Sequence, residues 1–201
     1  MGNKTKNTSC DTWRKCRRTK DLIRKFNKPL PLLDKIVPLV GNKKEIKLAD
    51  IGSGPIPCIG SYLHGVELKI YSSDVRDFTQ WWKERNSVPF MPVEYQDMEK
   101  LTYPDEFFDI VFCRNALDHT RNAKRAVREM IRVCKTGGWI RIICSLDQLS
   151  TGYRHYWNAK RDGIFTNNKE TFDLKKYGFQ IEFIDRGGKS TNSLMIATLK
   201  K

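Results

Sequence analysis

Short apolar runs, each ending in turn residues, alternate with helical segments along most of this 201-residue chain. KLADIG (47–52), LKIYSSDV (68–75), PVEYQDM (92–98), FFDIVFCRN (107–115) and WIRIICS (139–145, after the Gly137-Gly138 break) read as strands. FTQWWKERN (78–86) and NAKRAVREMIRVCK (122–135) carry helical spacing. The order βαβαβαβ predicts an α/β fold built on a doubly wound, mostly parallel sheet, because parallel neighbours need crossovers and the crossover helices cover the sheet faces. Residues 146–168 show no clear pattern, and ETFDLKKYG (170–178) reads as a helix. FQIEFID (179–185) and SLMIATLK (193–200) read as closing strands joined at Gly187-Gly188, which brings the sheet to seven.

Charge divides the chain into two parts. Residues 1–44 hold 13 Lys or Arg against Asp11, Asp21 and Asp34, a balance of +10 out of the chain's +14. Trp13, Cys16, Ile23 and Phe26 recur near helical spacing there, Asp11 fits an N-cap, and Pro29 and Pro31 fit a stop. Residues 1–44 are therefore expected to form a basic helical arm, and 45–201 one domain. Such an arm suits nucleic acid, another acidic partner or a membrane surface, and equally a solvated face whose apolar stripe packs on its own domain. No apolar run approaches the roughly 18 residues of a membrane span, and MGNKTKN lacks the apolar core of a signal peptide. Six cysteines without a CxxC pair, and without zinc-like spacing to His64, His119 or His155, read as reduced thiols in a cytoplasmic protein with no metal.

In a sheet of this kind ligands bind beyond the carboxyl ends of the strands. Asp50 ends the first strand, and Gly52, Ser53 and Gly54 form the loop above it, where two residues without Cβ let a ligand approach the backbone. Pro57 stands where a dinucleotide fingerprint needs its third glycine, so a pyrophosphate cradle is disfavoured. Asp74, Asp97 and Asn115 end the next three strands. An acidic residue at the position of Asp74 can accept hydrogen bonds from both hydroxyls of a ribose. The four polar ends together read as a nucleoside site.

LADIGSGP, IYSSDV, EYQDMEKL, FDIVFCRNALDHT and VREMIRVCKTGGWIRI, spread over roughly residues 45–145, resemble the class I S-adenosylmethionine-dependent methyltransferases. The resemblance implies a Rossmann-like methyltransferase fold and S-adenosylmethionine as cofactor. By position it implies that Asp50, Gly52 and Gly54 line the methionine portion, that Asp74 holds the ribose diol, and that Val75 packs on the adenine. Asp97 would accept from the adenine amino group, Met98 would add a backbone contact, and Arg114 and Asn115 would border the methyl donor. The chain departs from the family at Ile56-Pro57, where many relatives keep a further glycine.

The acceptor side is less defined. His119, after the fourth strand, is a candidate base, with a packing or capping role for Asp118 and His119 as the alternative. His155 is the second candidate base, and Tyr153 and Trp157 beside it are candidate substrate contacts or, for Trp157, the anchor of a surface loop. NALDHT with HYW resembles small methyltransferases acting on sugars, glycans or other small hydroxylated molecules. The expected activity is therefore methyl transfer to oxygen or nitrogen of a small molecule or glycan. A nucleic-acid methyltransferase that uses the basic arm is the first alternative. CRNAL lacks the Pro-Pro-aromatic sequence of base-amine methylation, and Cys113 lies in an apolar run unsuited to a thiolate. A noncatalytic binding protein on the same fold is the second.

Overall fold

The computed structural model describes residues 43–56, 66–84, 86, 89, 91–146, 155–185, 187 and 193–201. Apart from Lys43 and Lys44, the expected basic arm lies outside these residues, as do Tyr153, the loop from Pro57 to Gly65 and Gly188.

The main sheet has seven strands: β1 (Glu45–Ile51), β2 (Glu67–Asp74), β3 (Val93–Tyr95), β4 (Phe108–Arg114), β5 (Cys134–Ser145), β9 (Gln180–Ile184) and β10 (Leu194–Lys200). Their spatial order is β3-β2-β1-β4-β5-β10-β9. The first five run parallel, and β10 runs antiparallel to both β5 and β9. The topology therefore matches the expected mostly parallel doubly wound sheet.

Strand alternation explains why the sheet is buried on both sides. Ala49, Ile51, Val111, Cys113, Ile140 and Ile142 face one core, which also takes in the apolar side of α2 (Ala123–Val133). Ile46, Leu48, Ile110, Phe112, Ile143 and Ile196 face the other. In α2, Ala123, Ala126, Val127, Met130 and Val133 are buried at helical spacing, and the Asn122 side chain caps the helix by accepting from the backbone N–H of Arg125 at 3.0 Å. Lys43 and Lys135 both reach the buried carboxylate of Asp109, at 2.6 and 2.9 Å. Among the described residues no helix is long and apolar enough to cross a membrane.

Four expectations are corrected. The helix foreseen at 170–178 is instead strand β8 (Thr171–Asp173) followed by a single 3-10 turn, Leu174–Tyr177. Phe172 is drawn into an extended segment by stacking on Phe165 at 5.0 Å and meeting the Trp157 ring edge-on at 5.3 Å, and Gly178 with φ of 89° closes the turn. The patternless stretch 146–168 holds β6 (Asn158–Ala159) and β7 (Ile164–Thr166), which pair with β8 in a three-stranded sheet; strands this short leave no readable period. Finally, β5 begins at Cys134, before the glycine break, and the extra residues are absorbed by a register shift between Phe108 and Ile110. The helix expected over 78–86 contracts to α1 (Thr79–Lys83), which buries Trp81 and Trp82.

Candidate functional site

Chain reversal above β1 depends on glycine. Gly52 has φ of 72°, and a Cβ there would lie 2.3 Å from Ala116 Cβ and 3.0 Å from Met98 Cε. The N–H groups of Gly52 and Ser53 both donate to the carbonyl of Ser73, at 2.8 and 3.0 Å, so the loop is tied down to the end of β2. Gly54, with φ of 71°, donates its N–H to Asp74 Oδ2 at 3.0 Å. Ile56, in the place of the family's further glycine, is buried against Phe78, Trp81 and Trp82. An apolar plug into α1 thus replaces glycine at this turn, a role the sequence reading did not assign.

Asp50 and Asp74 are both almost fully buried, at 3% and 4% exposed. Asp50 Oδ2 has no hydrogen-bond partner. Burial, reinforced by the neighbouring charge of Asp74 and opposed by Arg114, raises its carboxyl from the ordinary 3.8 to about 7. Asp74 is held differently. Arg76 donates to its Oδ1 from both the backbone N–H (3.0 Å) and Nε (2.9 Å), and to its Oδ2 from Nη2 (3.1 Å). The sequence reading missed Arg76, because an arginine two residues past a strand carries no regular spacing. It braces the carboxylate expected to meet the ribose. An open cavity of about 400 Å³ adjoins it, lined by Arg76, Phe78, Trp82 and Tyr95 among others.

The other residues that the resemblance implies for the cofactor lie at or just after strand ends. Val75 follows β2 and is 54% exposed. Asp97 Oδ1 accepts from the backbone N–H of Glu99 at 2.9 Å, and Met98 lies beside Gly52. Arg114 ends β4. Asn115 adopts a left-handed φ of 49°, a conformation asparagine tolerates and one that concentrates at functional sites. Its Oδ1 accepts from the Ser145 N–H at 2.8 Å, clamping the carboxyl ends of β4 and β5 together.

Beyond Asn115 a 3-10 turn, Leu117–His119, brings the two candidate bases together although 36 positions separate them. His155 Nδ1 lies 2.5 Å from Asp118 Oδ2, and the His119 and His155 rings pack with centroids 4.3 Å apart. The two segments are locked at the backbone, since the Asp118 carbonyl accepts from the N–H groups of Tyr156 (2.8 Å) and Trp157 (3.1 Å). Trp157 is wholly buried and donates Nε1–H to the Thr120 carbonyl at 3.0 Å; in this conformation it is an anchor and touches no solvent. Burial raises the Cys113 thiol far above an ordinary one, and the charges of Asp50 and Asp118 act in the same direction.

A family model described as a methyltransferase domain matches residues 50–142, which run from the carboxylate at the end of β1 into β5. Over these residues, a little under half of the chain, the protein is similar to the class I S-adenosylmethionine-dependent methyltransferases. Its sequence is 29% identical over 110 residues to an uncharacterized methyltransferase, YcgJ, of Bacillus subtilis; the match covers 45% of this chain and 44% of that protein. A SAM-dependent methyltransferase from Aquifex aeolicus shares the fold with a TM-score of 0.53 and 18% identity, over 94% of this chain and 96% of the other. The [4+2]-cyclase SpnF shares it with a TM-score of 0.57 and 18% identity, over 85% and 79%. A cyclase on this fold shows that the reaction must be argued from the site. The cofactor of the methyltransferase domain is S-adenosylmethionine.

Asp50 would tie cofactor binding to pH. S-adenosylmethionine carries a sulfonium and an α-ammonium, so a cofactor bound along Asp50 would favour the ionised carboxylate. Affinity should then rise as pH climbs toward about 7 and level off above it, with proton release on binding below that pH. Calorimetry in buffers of different ionisation enthalpy reads that proton directly, and a pH-independent affinity between about 6 and 8 would remove Asp50 from the cation's surroundings. Without cofactor the same shift acts on stability in the opposite direction. Between 3.8 and about 7 the folded state keeps a proton that the unfolded state has lost, so Asp50 makes the fold less stable as pH rises through that window.

Proposed function

We propose that this chain transfers the methyl group of S-adenosylmethionine to an oxygen or nitrogen of a small hydroxylated molecule or glycan, seated over the carboxyl ends of β4 and β5. The observation that carries this reading is the convergence of Asp118, His119 and His155 one turn beyond Arg114 and Asn115. Methyl transfer from a sulfonium needs an aligned nucleophile about 3 Å from the methyl carbon and a means of removing the nucleophile's proton. The acceptor lone pair forms the new bond to carbon, the carbon–sulfur pair returns to sulfur as a neutral thioether, and the acceptor proton leaves through the cluster. Asp50, Gly52, Gly54, Asp74, Val75, Asp97 and Met98 would hold the cofactor, with Arg114 and Asn115 at its methyl end.

Transfer of a radiolabelled methyl group is the test, with small glycans and polyols in one arm and bulk RNA in the other. Label is expected in the small acceptors. Label confined to RNA would replace this reading with a nucleic-acid one, and binding without transfer to any acceptor class would favour a noncatalytic protein. Asp74→Ala should weaken cofactor binding by about 1–3 kcal/mol, because it removes an acceptor for the ribose and the acceptor that Arg76 and the Gly54 N–H now share. Wild-type affinity in that variant, read by calorimetry, would take Asp74 out of the site.

A further inference from the structure

The cluster beyond β4 has a ligand set that the methyl-transfer reading does not require. One ligand atom from each of Asp118, His119 and His155 lies within 4.8 Å of the other two. Asp118 is 2% exposed, and while its Oδ2 meets His155, its Oδ1 is buried without any hydrogen-bond partner. A carboxylate oxygen left unpaired inside a protein is costly, and a bound cation is one of the few groups that compensates it.

We propose that Asp118, His119 and His155 bind a single divalent transition-metal ion at the acceptor end of the cleft; this rests on the methyl-transfer reading given above. Two imidazoles and one carboxylate suit zinc, cobalt, manganese or iron(II), whereas magnesium and calcium favour all-oxygen shells. Ligand bonds of about 2.0–2.2 Å hold donor atoms on one ion roughly 3.4 Å apart, so the widest gap, up to 4.8 Å, needs to close by about 1.5 Å and the 2.5 Å contact of His155 with Asp118 needs to open by about 1 Å. The ion would replace the hydrogen bond between His155 Nδ1 and Asp118 Oδ2: its proton goes to solvent, the nitrogen lone pair binds metal, and Asp118 turns the unpartnered Oδ1 to the ion beside Oδ2. The protein needs no large rearrangement for this, because the Asp118 carbonyl already fastens both segments through the Tyr156 and Trp157 N–H groups. Three protein ligands leave a coordination position open for an acceptor hydroxyl, whose pKa the ion lowers before methyl transfer. The sequence offered no sign of the site, since adjacent Asp118-His119 and a distant His155 form no familiar spacing.

The test is titration of chelator-treated full-length protein with Co²⁺, whose visible d–d bands report coordination, beside a magnesium control. One Co²⁺ per chain is expected, displaced by zinc and not by magnesium. His155→Ala, and separately His119→Ala, should weaken binding at least about 10-fold. Thermal melting verifies that each variant is folded. Absence of saturable Co²⁺ binding, or equal binding in both histidine variants, overturns the metal site. Cofactor calorimetry on the same samples separates the two claims: failed cobalt binding with intact S-adenosylmethionine binding sinks the metal alone, and failed cofactor binding sinks the methyl-transfer reading.

Discussion

Replacing His155 with Ala is expected to lower turnover at least about 10²-fold while cofactor affinity stays constant, because acceptor activation acts in the transition state and the residues proposed to hold the cofactor lie at other strand ends. The structure gives this a narrower basis than the histidine alone. His155 Nδ1 sits 2.5 Å from a carboxylate that is itself buried, so its ring is oriented before any acceptor arrives. Asp118→Asn should therefore lose activity too, as a positioning defect, with a pH profile that changes shape as well as height. The readouts are kcat on the accepted substrate and cofactor affinity by calorimetry. Full activity in His119→Ala, His155→Ala and the double variant would show that transfer proceeds by alignment alone.

Gly52→Ala is expected to have the largest effect on the fold and on cofactor binding together. The new Cβ would sit 2.3 Å from Ala116 Cβ on a backbone with φ of 72°. Left-handed strain of roughly 1–2 kcal/mol and overpacking of roughly 1–3 kcal/mol add to about 2–5 kcal/mol, and a displaced loop would no longer present Gly54 to Asp74. Chemical denaturation measures the first effect and cofactor calorimetry the second. Adding Ala116→Gly should recover the packing part and leave the backbone part, a coupling that a double-mutant cycle isolates. A Gly52→Ala variant with a wild-type denaturation midpoint would show that the loop yields more easily than its contacts indicate.

Strand ends were the legible part of this chain. Alternation in β1, β4, β5 and β10 marks residues for two buried faces, and the polar residues that terminate β1, β2 and β4, together with Asp97 after β3, lie at the rim where ligands bind. What escaped the sequence depends on contacts between distant segments. Phe172 is extended because Phe165 and Trp157 surround it, which no local pattern announces. Ile56 reads as an interruption of a glycine loop until Phe78, Trp81 and Trp82 are seen around it. His119 and His155 were legible as separate candidates, but their pairing through Asp118 depends on backbone hydrogen bonds between the 3-10 turn and the segment before β6. Arg76 illustrates the same limit at short range: its grip on Asp74 is a matter of geometry after the strand ends.

The most direct test is a crystal structure with S-adenosylhomocysteine, the demethylated cofactor. The adenine is expected between Val75 and Met98, the ribose hydroxyls on Asp74 with Arg76 displaced or sharing the carboxylate, and the sulfur beside Arg114 and Asn115, facing Asp118, His119 and His155 across the space for an acceptor. A nucleoside bound elsewhere on the sheet, or a sulfur turned away from the histidine pair, would contradict the assignment of cofactor and acceptor to opposite sides of the β4 strand end.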